Sequence, residues 1–427
     1  MKHPRHILGC VALLLLLALP LGAWDFGLTL DNTTSPGYAE GFSFEQQDTL
    51  ALWFETGLGP FLRLSMQGSY TFEIERPYLF NLDLLALKGQ FPLSGRRPSV
   101  LAFTLGRFVL AEFSGLLFEG TVDGAQLEWR GQALTATVAA GYTGLQLAPL
   151  SPVAMTWADQ TSTSTLAPPR LVELLQLEFP ELLSRQDLTV AAVAQQDFQP
   201  ESELVPVGTT VQAAGAGGRL SSEYLGLGMR GPLRESLYYD LFGYLGTGRT
   251  LSYIDGSYQY AWMLSGLLGG GLRWFQEAWL HSRAEMRFLM ATGDPDFAVF
   301  TEGNQAGLAT MFVPVTQSEL ALVFSPSLGN LAVLQLGYSI KPAAWLQTEL
   351  TGFMFLRPGP GPVSDPRLDP ASSTPYLGSE IDASVRLRPF SDVGTALTLG
   401  LFLPGTAFRA DYRALQLQGS LGISLAF

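Results

Sequence analysis

Arg283, Glu285 and Arg287 occupy every second position of one run, with Ala284, Met286 and Phe288 interleaved. Asp382, Arg386 and Arg388 repeat the arrangement against Ile381, Ala383, Val385 and Leu387, and Arg63 and Glu73 bracket a third run. Alternate residues of an extended strand share a face, so each run carries ionised groups on one side and hydrocarbon on the other. Charges held this way, with no nucleophile among them, act electrostatically. They hold water, gather counter-ions and orient polar solutes. Glu128, Arg130, Arg273 and Glu349 fall on the charged sides of neighbouring runs and complete the set of pore-lining candidates.

Covalent chemistry has few carriers. Beyond the first six residues His281 is the only histidine, and it opens the charged face of Arg283, Glu285 and Arg287, where a solvated side chain is expected. A Ser–His hydrolase would have to be built around it, and the sequence has no Gly-x-Ser-x-Gly elbow. The sole cysteine, Cys10, lies in the leader, leaving no disulfide and no zinc site of the usual ligands. Asp294, Asp296 and Asp365 lack the spacing of a calcium loop and read as solvated loop charge. Gly269-Gly270-Gly271 has no phosphate-loop context and reads as a flexible or closely packed strand. The expectation is a protein with no catalytic residue, no metal and no cofactor, and not an enzyme. Its net charge of −13, which becomes −15 when Lys2 and Arg5 leave with the leader, argues against nucleic acid as a partner.

The elements that must position these charges follow from the rest of the chain. Residues 1–23 read as a cleaved signal peptide: Lys2 and Arg5 precede the apolar run from Ile7 to Leu19, and Ala23 precedes a cut ahead of Trp24. The remaining 24–427 is expected to form one domain. Hydrophobic residues make up 47% of the chain and charged residues only 15%, yet no later stretch is long and apolar enough for a spanning helix.

The hydrophobicity is instead distributed with a period of two. Leu415, Leu417, Gly419, Leu421, Ile423, Leu425 and Phe427 alternate with Gln416, Gln418, Ser420, Gly422, Ser424 and Ala426. Leu62 to Ile74 alternates in the same way, with weaker examples at Leu134–Tyr142, Leu346–Leu356 and Val393–Leu403. Runs of ten or more residues match the ~9–11 needed to cross a bilayer and exceed the ~5–6 of soluble strands. Charge on one face and almost none on the other suits a wall between water and lipid.

Short turns at Gly95-Arg96-Arg97-Pro98, Lys341-Pro342 and Pro389-Phe390-Ser391-Asp392 contrast with long loops near Pro149–Pro169, Gln199–Gly218, Gly293–Gly307 and Arg357–Pro375. That asymmetry places the long loops outside the cell. Dividing the mature length into units of about 22 residues gives about 18 strands, within a range of 16–18. The fold expected is all-β, a transmembrane antiparallel up-and-down β-barrel wide enough for an aqueous channel. The segment from Leu171 to Phe179 reads either as a strand or as a short helix folded into the lumen.

At the C-terminus, Ser420-Leu421-Gly422-Ile423-Ser424-Leu425-Ala426-Phe427 resembles the assembly signal of Gram-negative outer-membrane barrels. The positions that carry the likeness are Ser420, Gly422, Ile423, Leu425 and Phe427, and it implies the barrel-assembly machinery as a partner. Leu377-Gly378-Ser379-Glu380-Ile381-Asp382, followed by Phe402-Leu403-Pro404-Gly405, is similar to the closing hairpin of the alginate-export family of barrels. Gly106-Arg107 followed by Asp123-Gly124 resembles elements of that family and of related porins. The family lines its pore with arginines for a polyuronate. Here the arginines are mixed with carboxylates, a departure that leaves the solute open.

Together these readings predict a porin-like channel in the cell outer membrane, with outer-membrane lipid and small polar solutes as its partners. The expected function is passive diffusion of ions and small hydrophilic solutes, anionic or saccharide-like ones included. Two alternatives remain: a barrel acting through its long loops as an adhesin or antigen, and a carrier of hydrophobic molecules. A monomer and a trimer fit the sequence equally.

Overall fold

The structure, a computed structural model, describes residues 24–427 except 40, 77, 94–97, 213–216, 298, 303, 306, 307, 370 and 373. The expected leader and most of the turn at 95–98 lie outside the described residues.

Eighteen strands follow one another: β1 (Trp24–Tyr38), β2 (Phe42–Gly57), β3 (Leu62–Glu73), β4 (Leu79–Leu93), β5 (Ser99–Ala111), β6 (Glu119–Arg130), β7 (Thr135–Tyr142), β8 (Arg170–Leu183) and β9 (Gln186–Asp197) form one half. The other half is β10 (Ser221–Arg234), β11 (Leu237–Ile254), β12 (Ser257–Gln276), β13 (Ser282–Ala291), β14 (Leu331–Ala343), β15 (Leu346–Leu356), β16 (Tyr376–Phe390), β17 (Val393–Pro404) and β18 (Gln416–Ala426). Each strand pairs antiparallel with its sequence neighbours, and β18 pairs with β1 from Thr29↔Ala426 to Tyr38↔Leu417. The sheet is a closed barrel without edges, so every strand backbone finds its partners in the wall.

Period-two alternation sets the two faces. In β18, Leu417, Leu421 and Ile423 are exposed on the outside while Gln416 is buried inside. Outward aromatic residues gather near both rims. Trp24, Phe26, Trp129 and Trp274 lie toward the short-turn end, and Tyr38, Phe42, Phe80 and Trp262 lie toward the other. Such girdles mark the two membrane–water interfaces.

The described connections at one end are all short, and the long loops share the other end with short ones such as the two-residue turn 255–256. At the end that carries Trp24 and Phe427, the turns 58–61, 131–134, 184–185, 235–236, 277–281, 344–345 and 391–392 have two to five residues. All the long loops (143–169, 198–220, 292–330, 357–375) lie at the other end. Two sequence boundaries need correction. Lys341-Pro342 is still part of β14, with the turn at 344–345. The loop expected to end at Gly307 continues to 330, because its second half packs inside the barrel. Of the two readings left open for Leu171 to Phe179 the strand holds: the segment belongs to β8 and forms wall.

The Gly-Arg and Asp-Gly elements meet across β5 and β6, where Gly106 pairs with Gly124 and Arg107 with Asp123. Gly106 has φ +113°, and a Cβ there would stand 2.1 Å from the Leu85 carbonyl oxygen. Only glycine fits. Arg107 Nε and Nη2 donate to the two Asp123 oxygens at 2.9 and 2.6 Å, and the guanidinium also donates to the Leu82 and Leu145 carbonyls. By strand parity this pair sits on the outward face near the loop end, where its mutual hydrogen bonds offset the cost of lost hydration.

Candidate channel interior

One side of the lumen is an arginine-rich wall spread over β10 to β16. Register places Arg230 beside Asp240, Arg273 beside Glu285, and Gly271 between Asp240 and Arg287. Arg273 Nη2 lies 3.1 Å from Asp240, and Arg283 Nη2 lies 3.4 Å from Glu285 and 3.7 Å from Glu349. Arg386 reaches Glu349 at 3.9 Å. Ser339, between Arg283 and Glu349 in register, leaves room for that longer contact. The structure therefore brings together Arg273, Arg283, Glu285, Arg287, Glu349, Asp382 and Arg386 from the sequence-derived set, with Arg388 at the short-turn end of the same wall.

The other four candidates stand apart. Arg63 on β3 pairs with Glu55 at 2.6 Å, and Glu73, at the loop end of β3, pairs with Arg76 at 2.9 Å. Glu128 and Arg130 on β6 pair with each other near the short turns. In a ring of 18 strands β1 to β4 lie across from β10 to β13. Their inward face carries Asp31, Glu45, Glu55 and Asp83 among serines and threonines, against few cations. Asp83 accepts hydrogen bonds from Gln67, Ser69 and Asn81. The lumen thus has an arginine-rich wall opposite an acid-rich one.

Residues 308–330 of the β13–β14 loop fold inward and span the lumen from β10 to β16. Tyr224, on the inward face of β10, donates its hydroxyl hydrogen bond to the Val313 carbonyl. On β16 Glu380 accepts the Val323 and Phe324 amides at 2.6 and 2.9 Å, and Asp382 accepts the Leu322 amide at 3.2 Å. Phe324 is fully buried, with ring centroids 4.9 Å from Phe355, 4.8 Å from Phe402 and 5.5 Å from Phe408. Two further loops brace it. The Val315 and Thr316 amides donate to the Leu117 carbonyl, and Ala154 N–H donates to the Val315 carbonyl.

Loop 112–118 is itself drawn inside. Glu112 accepts the Ser114, Leu116 and Leu117 amides and the Tyr244 hydroxyl. Phe113 stacks on Tyr244 at 5.4 Å and lies over Gly226 and Gly228, where a Cβ would come within 3.1 and 2.5 Å of its ring. Beneath Phe113 and Ser114 a cavity of about 430 Å³ is lined by Arg230, Asp240, Arg273, Glu285 and Arg287. Toward the short turns it gives way to a vestibule of about 1050 Å³ lined by Arg185, Arg230, Tyr238, Arg273 and His281.

Higher in the loop layer, Arg170 is fully buried between Asp159 of a short helix, α1 (Trp157–Thr161), and Asp197, 3.8 Å away. Asp294 is not the solvated loop charge expected of it. It is buried and accepts the Thr310 and Asp296 amides and the Asn304 side chain, so it folds its own loop. Among the described residues no group of three His, Cys, Asp or Glu is placed to hold a metal ion.

Sequence reasoning missed Arg230, Asp240, Glu380, Glu112 and Phe324. The first three share the strand parity of their neighbours and could have been found by extending the alternation. Glu112 and Phe324 lie in loops, where no period marks an inward residue.

No protein-family model matches the chain, and neither does any curated protein. Solved structures do match. Pseudomonas aeruginosa OccK2 (OpdF) is 13% identical with a TM-score of 0.57, over 95% of this chain and 98% of that one. Pseudomonas aeruginosa OpdQ is 10% identical with a TM-score of 0.56, over 95% and 99%. The outer membrane protein OprD of the same organism is 9% identical with a TM-score of 0.53, over 95% and 94%. OccK2 has also been solved in complex with glucuronate. At such identities the likeness is one of fold: a closed, 18-strand antiparallel barrel of the outer-membrane porin type.

Proposed function

We propose that this porin-type barrel is a channel for passive diffusion of ions and small hydrophilic solutes across a bacterial outer membrane, with anionic, sugar-acid-like solutes favoured. The observation that carries the reading is the arginine-rich wall on β10 to β16, which borders a cavity of about 430 Å³ under an inward-folded loop. Several guanidinium groups converging on one space suit carboxylates, which accept paired N–H donors. The interleaved Asp240 and Glu285 suit hydroxyl groups. The glucuronate bound by OccK2 belongs to that solute class.

Export by a leader cut ahead of Trp24, one barrel domain from 24 to 427 and recognition of β18 by the assembly machinery belong to the same proposal. So do long loops facing the exterior and a lumen that does no covalent chemistry. The test is single-channel recording of the folded mature protein in planar bilayers, with reversal potentials in a salt gradient. Stable conductance steps that are blocked by added glucuronate are expected. Silence from inserted, folded protein would overturn the channel reading in favour of a barrel that acts through its loops.

A further inference from the structure

The lipid-facing side of β11 and β12 is not evenly covered. Down from the loop end its outward pairs are Arg249 and Trp262, Thr247 and Leu264, Leu245 and Gly266, then Gly243 and Leu268. Where one strand offers leucine the other offers bare backbone. The result is an apolar groove of about 740 Å³ whose walls include Leu225, Leu245, Leu268 and Met290.

Nothing within the barrel requires those two glycines. A Cβ on Gly243 or Gly266 would meet no atom closer than 3.4 Å, and neither residue has a positive φ. The inward glycines of the same strands differ. A Cβ on Gly246, Gly248 or Gly269 would fall within 2.6, 2.3 and 2.2 Å of a neighbour. The interior needs its glycines for packing, whereas the outward pair keeps open a space that only something outside the barrel can fill.

Beyond the groove, on the same face toward the loop end, stand two cations. Arg249 stacks over the Trp262 ring at 4.7 Å and makes no ion pair among the described residues. Beside it Arg219 donates its backbone N–H to the Tyr260 hydroxyl and its Nε and Nη2 to the Gln199 carbonyl. Glu223 is diagonal to Arg249 in register on this face, and Glu173 lies two strands further on at the level of Glu223. Arg249 lies four positions beyond Leu245, ~13 Å of extended strand. A lipid with an anionic headgroup has the same plan, with charge at the rim and hydrocarbon below.

We propose that this groove binds a phosphate-bearing glycolipid of the outer leaflet, one acyl chain lying over Gly243 and Gly266 and a phosphate against Arg249. A flexible chain fills a narrow cleft, which the convex wall of a second barrel does not. The proposal rests on the outer-membrane reading with the long loops outside.

The test uses the full mature barrel in bilayer nanodiscs containing a purified phosphorylated glucosamine-disaccharide lipid, or the same lipid after phosphatase treatment. Lipid retained on the barrel after detergent extraction is measured by native mass spectrometry. Wild type should keep the phosphorylated form about tenfold better. Arg249→Ala should lose that discrimination, and Gly243→Leu with Gly266→Leu should lose retention of either form. Equal retention of both lipids by wild type, phosphatidylglycerol held as well as the glycolipid, or a barrel dimer in place of bound lipid would each overturn the proposal. Conductance is recorded on the same samples and should not change in these variants. A barrel that retains the glycolipid but never conducts supports the lipid site and sinks the channel reading alone.

Discussion

Phe324 and Glu380 do at the scale of single residues what no strand does: they seat a loop inside the barrel. The Phe324 ring is enclosed by Phe355, Phe402 and Phe408, while its own N–H and those of Leu322 and Val323 donate to carboxylates of β16. Deleting a buried phenylalanine side chain costs ~3–5 kcal/mol, and each hydrogen bond to a charged group contributes ~1.5–3 kcal/mol. None of these contacts belongs to the strand ladder, so their loss should free the loop and leave the barrel closed. Phe324→Ala should therefore raise conductance and current noise and hasten proteolysis within 292–330. The temperature at which the barrel unfolds in detergent should hardly move. Unchanged conductance together with unchanged proteolysis would show that loop 292–330 is held by its other contacts. Glu380→Gln should act in the same direction but more weakly, since its amide keeps one acceptor where two N–H groups converge.

At the scale of elements, the strands were legible because lipid and water make opposite demands on alternate residues. That opposition wrote a period of two into β3, β13, β16 and β18, and it fixed the inward parity of every arginine on the rich wall. The loops obey no such rule. Residues 308–330 carry as much hydrocarbon as a strand, but Phe312, Val313, Val315 and Phe324 are buried by the lumen wall and by other loops rather than by lipid. Asp294 likewise looks like any loop acid until its folded partners are seen. The loop layer also holds a titratable contact. Glu302 of loop 292–330 accepts the Gly217 amide of loop 198–220 at 2.9 Å, and burial pushes its carboxyl from 4.5 up to about 7, partly opposed by the Gly217 and Gly218 amides. A carboxyl whose folded value is raised stabilises the contact in its protonated form. That contribution is complete below about pH 4.5 and is lost as pH rises through about 7. The shift corresponds to on the order of 3 kcal/mol. Protection of the Gly217 amide from hydrogen exchange, corrected for intrinsic rate, should fall between pH 5 and pH 8, and Glu302→Gln should remove the dependence. A wild-type profile as flat as the variant's would mean that Glu302 stays ionised throughout.

For the molecule as a whole, the channel reading turns on which charge a permeating ion meets. The chain carries a net charge of −13, which by itself would favour cations. Selectivity, however, is set where the path is narrow and the dielectric low, not by a sum over exposed loops. Under Phe113 the path is bounded by Arg230, Arg273 and Arg287, with Asp240 and Glu285 between them. Across the lumen stand Asp31, Glu45, Glu55 and Asp83. An anion should hug the first wall and a cation the second, and the ratio of the two currents measures their balance. A unit charge ~6 Å from the path contributes ~0.7 kcal/mol even at the dielectric of water, so removing two arginines is worth ~1.4 kcal/mol, or about tenfold in relative permeability. Arg273→Gln with Arg287→Gln should shift the reversal potential toward cations by about that factor. Replacing both with lysine should keep most of the anion permeability but weaken glucuronate block, because lysine cannot offer a carboxylate paired planar donors. Glu55→Gln on the opposite wall should move the reversal potential the other way and leave glucuronate block intact. If all these variants shift the reversal potential alike, the two walls do not act separately and the transverse field plays no part in sorting solutes.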